Sequence, residues 1–460
     1  MFNHANSSGE VNSLPRLRDP IHGFIELSEL ELEIVDSAPF QRLRNIKQLA
    51  TTYLVYHGAE HTRFGHSLGV MHLVDRAFRS ATANYQAEQG EPLFSDTDSA
   101  WYRQLLRLIA LVHDLGHAPF SHGSEALFDE GLEHEDFTKI IICEAEIADI
   151  IVRIGEKFCE EHGTDNSYQI SPQLLWSIYG EKNPESDPQY MAHLADFKFL
   201  KTFMDSELDC DKMDYLLRDS YYCGVNYGKY DLNRVIDSLT VYNNKNQNIK
   251  QLALQKGGVH AFEEFVIARY FMFIQVYFHK TRRYLDKLLV RCIGEILDHQ
   301  PYPADVKEYL KWNDDLVIEK IAQNAANSEN ARCFVKREVM SCVYETRTHA
   351  NGNTNSSDLQ VYRLLLKQLR DALPEAVIEV DEASKLAHKI PVMERYDADS
   401  GKGIPIISNY LNKPTSIADE SLLLSGLTQP INIKRIYVDK QHSKQAKQMV
   451  REYLDAEGDE

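Results

Sequence analysis

The sequence has no apolar run approaching the about 18 residues of a membrane-crossing helix. Met1 to Glu10 are polar and lack the apolar centre of a secretory signal. Together these absences lead to the expectation of a cytoplasmic protein with no membrane partner. The 7 cysteines (Cys143, Cys159, Cys210, Cys223, Cys292, Cys333 and Cys342) are odd in number and never spaced as CxxC, so neither a disulfide framework nor a thiolate metal site is expected. No internal repeat and no long low-complexity tract interrupts the chain. Positive charge is in deficit, with 50 Lys and Arg against 69 Asp and Glu and a net charge of −19. That balance argues against wholesale binding to a nucleic-acid backbone, yet leaves room for a local basic pocket around a small polyphosphate.

The 460 residues suffice for one large domain and a smaller lobe, and 43% apolar with 26% charged residues is ordinary for a globular protein. Residues 1–15 read as a flexible N-terminal arm. From Leu27 onward apolar residues recur at three and four, so the chain is expected to be mainly α. Phe40 to Ala50 reads as a helix with Pro39 in its first turn. Ser67 to Arg79 continues the pattern, residues 81–99 read as a polar connector, and Trp101 to Leu115 as a buried helix. Further helices are expected at 135–158, 190–204, 209–220, 231–239 and 260–299. After about residue 300 the character changes to a smaller α+β lobe, 301–460. It holds a polar loop at 346–357, short strands at 376–380 and 433–438, and a closing helix at 443–454.

Three segments carry the chemistry: His61 to Gly69, Leu111 to His122, and Asp209 to Asp219. Within the second, His113 and Asp114 are adjacent. Neighbours on a helix point about 100° apart, but side chains of unequal length can meet at one ion beyond the helix end. Imidazole and carboxylate suit a borderline divalent cation such as zinc, iron or manganese. Two ionisable groups at the end of the apolar run 105–112 are costly without a partner, and a metal supplies one. A His-Asp dipeptide alone is commonplace. Here Gly116, His117, Pro119, Ser121 and His122 follow at once, which an ordinary core helix does not need.

The H…HD…D arrangement, with its pair inside HDLGHAPFSH, resembles the HD phosphohydrolase superfamily. DPIHGFIEL at 19–27, FQRLRNIKQL at 40–49, HTRFGHSLGV at 61–70, DCDKMDYLLRDSYYCGV at 209–225 and VYFHK at 276–280 resemble the SAM-and-HD-domain dNTP triphosphohydrolases and their bacterial relatives. The likeness covers residues 16–295. With 15 residues upstream, it is to the HD core without a SAM domain, and residues 16–300 are expected to form the HD phosphohydrolase domain.

The resemblance implies a divalent metal ion (Zn, Fe, Mn or Mg) held by His66, His113, Asp114 and Asp211. It makes His134 the catalytic histidine, held by Glu135 and acting as general acid to the leaving 5′-oxygen. His117 and His122 become phosphate contacts, with His117 also counted in the catalytic set. Arg63, Lys212 and Arg269 match positions that bind the triphosphate. Tyr215, Asp219, Tyr277, Gln48 and Leu49 match the sugar pocket: Gln48 and Asp219 toward the 3′-hydroxyl, Leu49 and Tyr277 against C2′, where a 2′-hydroxyl would not fit. Asp36, Gln41 and Arg44, with Arg16 and Arg18 nearby, match an allosteric guanine-nucleotide site.

The chain departs from some relatives at Gly65, where they carry a larger polar residue, and at Phe273, where they carry a histidine. The expected reaction is hydrolysis of a dNTP to deoxynucleoside and inorganic triphosphate, regulated by a nucleotide effector (dGTP or GTP-like) and by dimer or tetramer formation. A nuclease or phosphodiesterase acting on single-stranded nucleic acid or a signalling nucleotide is the alternative, since the same metal site suits any phosphoester.

Overall fold

Strands β1 (Arg16–Asp19) and β2 (Gly23–Glu26) form an antiparallel hairpin in the computed structural model, which describes residues 14–144, 146–180, 187–350, 356–390, 403–411 and 413–458. The Asp19 carboxylate closes its turn by accepting from the N–H groups of Ile21 and His22 at 2.8 and 3.0 Å. Most of the expected arm, and residues 351–355 of the expected polar loop, lie outside the described residues.

A capping box between Ser28 and Glu31 starts α1 (Glu29–Asp36), and α2 (Ala38–Arg42) follows with Pro39 in its first turn. The helix expected over 40–50 stops there. Leu43–Asn45 forms a 3₁₀ turn and Ile46 is extended, at φ −122° and ψ 106°. The backbone turns to the segment before the next helix instead: Gln48 N–H donates to His61 O at 3.1 Å and Arg63 N–H to Ile46 O at 3.0 Å. The detour carries Gln48 and Leu49 to the main cavity, whose wall they form.

The long helix α3 (Arg63–Gln89) runs through much of the expected connector, which shrinks to residues 90–95, and Gly90 ends it in the left-handed region at φ 75°. Ser95 caps α4 (Asp96–Val112), which packs against α3. The helix expected over 135–158 is two, α5 (His134–Glu144) and α6 (Ile147–His162). Then come α7 (Pro172–Tyr179), α8 (Pro188–Ala192), α9 (Leu194–Lys201) and α10 (Cys210–Cys223), the last capped by Asp209, whose carboxylate accepts from Lys212 N–H at 2.8 Å.

Helix α11 (Leu232–Asp237) leads into the antiparallel pair β3 (Leu239–Asn244) and β4 (Ile249–Gln255). The helix expected over 260–299 is broken. Between α12 (Val259–Met272) and α13 (Lys280–Ile296), residues Phe273–Tyr277 form a π turn, with Phe278 N–H reaching Phe273 O at 2.8 Å. The carbonyls it frees find charged donors: Arg282 binds Tyr277 O at 2.7 Å and Arg435 binds Phe278 O at 2.6 Å.

The remaining chain mixes α14 (Val306–Tyr309), α15 (Asp314–Asn324), α16 (Glu329–Lys336) and α17 (Ser356–Ala372) with β5 (Ser341–Glu345), β6 (Ile378–Lys385), β7 (Pro405–Ile407), β8 (Thr415–Ser416) and β9 (Ile431–Val438), and Ser443–Gly458 closes it as a helix. Strand β9 lies between β5 and β6, antiparallel to both. The architecture is thus mainly α with a smaller α+β part. This part is sewn into the helical core across residue 300. Strand β7 pairs parallel to β4, and Ile404, Ile406, Ile431 and Ile433 share one buried apolar cluster with residues of α3 and α10. Among the described residues no helix is long and apolar enough to cross a membrane.

Candidate active site

The first turn of α3, the end of α4 and the first turn of α10 bring His66, His113, Asp114 and Asp211 together. His66 Nε2 lies 2.9 Å from Asp211 Oδ1 and 3.6 Å from Asp114 Oδ2. His113 Nε2 lies 3.4 Å from Asp114 Oδ1 and 3.8 Å from Asp211 Oδ1. The other ring nitrogens are spoken for. His113 Nδ1 donates to Ala110 O at 2.8 Å and His66 Nδ1 to Asp214 Oδ2 at 2.8 Å, which turns both Nε2 atoms inward. His113 Nε2 is buried with no hydrogen-bond partner.

Burial opposes charge on His66, but hydrogen bonds to Asp211 and Asp214 push its pKa up to about 10. Burial likewise opposes ionisation of Asp114, yet Arg63 and His113 hold its carboxyl well below the usual range. Two imidazoles and two carboxylates in a field that favours positive charge fit a divalent cation, which would take the place of the proton His66 Nε2 shares with Asp211.

A buried network that the sequence reading did not single out supports these ligands. Besides His66, Asp214 meets His22 Nε2 at 2.6 Å and Arg218 Nε and Nη2 at 2.8 and 2.9 Å, and Arg218 reaches Asp19 at 2.8 Å. The signal was present: Asp19 and His22 sit in the DPIHGF segment, and Asp214 and Arg218 lie three and seven residues after Asp211, on one helical face. Arg42 braces the loop after the His-Asp pair, donating to His117 O at 2.9 Å and to Trp312 O at 2.8 Å.

Beside the metal ligands stands a histidine cluster. His117 stacks on His134 with ring centres 3.8 Å apart, and His117 Nε2 lies 3.1 Å from Asp114 Oδ1. Glu135, the expected partner of His134, lies 3.2 Å from its Nδ1, but Glu125 is closer at 3.0 Å. Glu125 also meets His117 at 3.0 Å and His122 at 2.7 Å, so one carboxylate lies within ion-pair distance of three imidazoles. It lies in none of the quoted motifs; only the fold reveals it. Burial and the charges of Arg63 and His134 push His117 down to about 3. His134 moves the other way: burial would lower it, but Glu125 more than compensates. An imidazole that disfavours a proton thus stacks on one that favours it.

A cavity of 720 Å³, within the usual range for small-molecule sites, opens beside Asp211. Of the expected substrate residues, Gln48, Leu49, Arg63, His122, Lys212, Tyr215, Asp219, Arg269 and Tyr277 line it, whereas His117 is buried behind the wall. Gln48 Oε1 is a buried acceptor without a partner. Asp219 is held by Tyr277 Oη at 2.7 Å and His61 Nε2 at 2.7 Å. Tyr277 belongs to the π turn rather than to the start of a helix. Phe273 lines the cavity with it.

The expected allosteric residues are less concentrated. Arg18 and Arg44 line a second cavity of 460 Å³ with Gly65, where an added Cβ would lie 3.1 Å from Arg218 Nη1. Arg16 pairs with Glu26 at 2.7 Å, Asp36 is exposed at the end of α1, and Gln41 donates to Val35 O at 2.7 Å while accepting from Arg44 Nε at 2.8 Å. Those three do not line that cavity.

A helical core that sets His66, His113 and Asp114 close enough to share one ion, with Asp211 beside His66, has the makings of a metal centre. The HD domain matches residues 63–196, and the HD associated region matches residues 230–360. The uncharacterized protein YwfO of Bacillus subtilis is 30% identical over 363 residues, covering 74% of each chain. The deoxynucleoside triphosphate triphosphohydrolase SAMHD1 of Danio rerio is 26% identical over 74% of this chain, which spans 57% of that protein's length. The crystal structure of a hypothetical protein from Aquifex aeolicus superposes with a TM-score of 0.70 at 30% identity, over 95% of this chain and 99% of that one. The chain belongs to the HD-domain family and is a metal-dependent phosphohydrolase.

Proposed function

We propose that the protein hydrolyses deoxynucleoside triphosphates to deoxynucleoside and inorganic triphosphate. One observation carries this reading: the cavity beside the metal ligands is lined at once by cations and by Gln48, Leu49, Tyr215, Asp219 and Tyr277. The name of the Danio rerio relative supports it.

His66, His113, Asp114 and Asp211 would hold the cation, which when bound supplies Lewis-acid polarisation of a phosphoryl oxygen and acidification of water. Arg63, Lys212, Arg269 and His122 bind the triphosphate. His134, whose protonated form Glu125 favours and which Glu135 flanks, donates its proton to the departing 5′-oxygen, which would otherwise leave as an alkoxide. His117, at 3.1 Å from Asp114, stacks on the His134 ring and fixes its orientation. The 3′-hydroxyl donates its proton to Asp219 and accepts from the Gln48 amide. Tyr277, its hydroxyl anchored on Asp219, leaves no space at C2′ for a further oxygen. Residues 16–300 form the catalytic unit in this reading. A dGTP- or GTP-like effector acts near Arg16, Arg18, Asp36, Gln41 and Arg44, and the protein works as a dimer or tetramer.

The test is to incubate the metal-loaded protein with the four dNTPs, singly and mixed, and to identify the products by chromatography. Intact inorganic triphosphate is expected. Nucleoside monophosphates or shortened oligonucleotides would instead establish a phosphodiesterase or nuclease. Turnover only in the mixture would identify an effector as well as a substrate.

A further inference from the structure

Most cations lining the main cavity already face a carboxylate. Arg63 meets Asp114 at 2.7 Å, Arg269 meets Glu207 at 3.1 Å, Arg282 meets Asp286 at 3.1 Å, Arg283 meets Asp381 at 2.8 Å, and Lys212 pairs with Asp209. Two do not. Lys385, the last residue of β6, and Lys389, four residues on, line the same cavity and have no ion-pair partner among the described residues. Lys385 Nζ lies 6.0 Å from the centre of the Phe273 ring, and the Arg269 guanidinium carbon lies 5.8 Å from the same centre. Arg269 Nε is a buried donor with no partner. Burial, then the charges of Arg269, Lys389 and Lys212, hold the Lys385 pKa below its ordinary value.

Cations gathered this closely repel one another, and a multiply charged anion between them relieves the repulsion. We propose that Lys385 and Lys389, together with Arg269 and Lys212, form a terminal-phosphate subsite through which the C-terminal part of the chain selects ligands by their number of phosphates. This inference rests on the reading of the cavity as a nucleoside triphosphate pocket. It adds to that reading a selecting element supplied by a strand far along the chain. Lys385 and Lys389 touch no reacting atom; they hold the end of the polyphosphate and so act on affinity rather than on the chemical step.

The experiment uses the full chain and Lys385→Gln, Lys389→Gln and the double variant, with a Lys389→Glu variant to reverse the charge at one of the two exposed positions. Inorganic tripolyphosphate and orthophosphate are titrated calorimetrically at fixed ionic strength. Each neutralisation should weaken tripolyphosphate binding about tenfold, the value of a hydrogen bond to a charged group, and Lys389→Glu should weaken it further. Orthophosphate binding should change by less than about twofold. With a dNTP substrate, KM should rise by the same factor while kcat stays within about twofold.

Unchanged tripolyphosphate affinity in the double variant overturns the proposal. So does an equal loss for both anions, which would mark a diffuse attraction, or wild-type protein that binds no tripolyphosphate. If the lysines matter only for a single-stranded oligonucleotide, the proposal also fails. The binding arm stands apart from turnover, so wild-type protein that binds tripolyphosphate through these lysines but releases none from a dNTP would defeat the proposed reaction and leave the subsite intact.

Discussion

At Gly69 a methyl group is enough to disturb the metal centre. A Cβ there would lie 2.0 Å from Asp214 Oδ1 and 2.5 Å from Arg218 Nη2, inside the buried pair that steers His66. Gly69→Ala should cost about 2–3 kcal/mol of stability, read by urea unfolding, because it overpacks a site that cannot yield without breaking a buried ion pair. It should also lower the metal content of the purified protein, read by elemental analysis. Wild-type stability and metal content together would refute the supporting role of Asp214. Glu125 sets a second residue-scale expectation. With three imidazoles on one carboxylate, Glu125→Gln should lower kcat by about 10²–10⁴, the usual worth of a positioned general acid, with a smaller change in KM. A loss under about tenfold would mean that Glu135 alone orients His134.

Among the elements, α15 and the π turn do more for the site than their positions in the chain suggest. Asp314, at the start of α15, accepts from Lys47 N–H at 2.8 Å and from Phe120 N–H at 2.6 Å, and so fastens both the detour after α2 and the loop after the His-Asp pair. Burial pushes its pKa up to about 7 against these two donors and the charges of Lys47 and Arg42. The folded state therefore holds a proton that the unfolded chain releases near pH 4. The resulting stability is present below about pH 4 and is lost as pH rises to about 7. The stability of Asp314→Asn relative to wild type should accordingly shift in favour of asparagine between pH 5 and pH 7 and then level off, as read by thermal unfolding. A constant difference across that range would show that Asp314 is ionised throughout.

Arg435, 2% exposed, reaches from β9 to Phe278 O and to Asp381 Oδ2 at 3.3 Å. Arg435→Met leaves the Phe278 carbonyl without its charged donor, while Asp381 keeps Arg283, and should cost about 1–3 kcal/mol. It should also raise KM, because Tyr277 and Phe278 line the cavity from the turn that Arg435 holds. An unaltered KM in a folded variant would separate β9 from the site.

At the scale of the molecule, β6 and the segment near Ile404 close one side of the cavity that α3, α10 and α12 open, so residues on either side of position 300 share one site. If nucleotide binding also drives assembly, light scattering should show a larger species with dGTP or GTP than without. An active monomer whose mass and rate ignore both nucleotides would remove the effector from the proposal.

Much of the site could be read from the chain because its chemistry is local. Adjacent His113 and Asp114, and Asp211 with its followers on one helical face, are short-range patterns that survive in any fold consistent with their periodicity. The mainly helical class was legible for the same reason. What periodicity could not show is where the backbone finds partners. The apolar spacing of residues 40–50 and 260–299 suits unbroken helices. Yet Ile46 and Gln48 bond to the segment before α3, and Phe273–Tyr277 turns outward because Arg282 and Arg435 satisfy the carbonyls it releases. Arg42, Lys385 and Lys389 share no spacing with the residues they serve, and Glu125 shares one only with His122, three residues before it. Their places come from long-range packing, since a charged side chain carries no sequence mark of the partner it will face until the chain has closed around it.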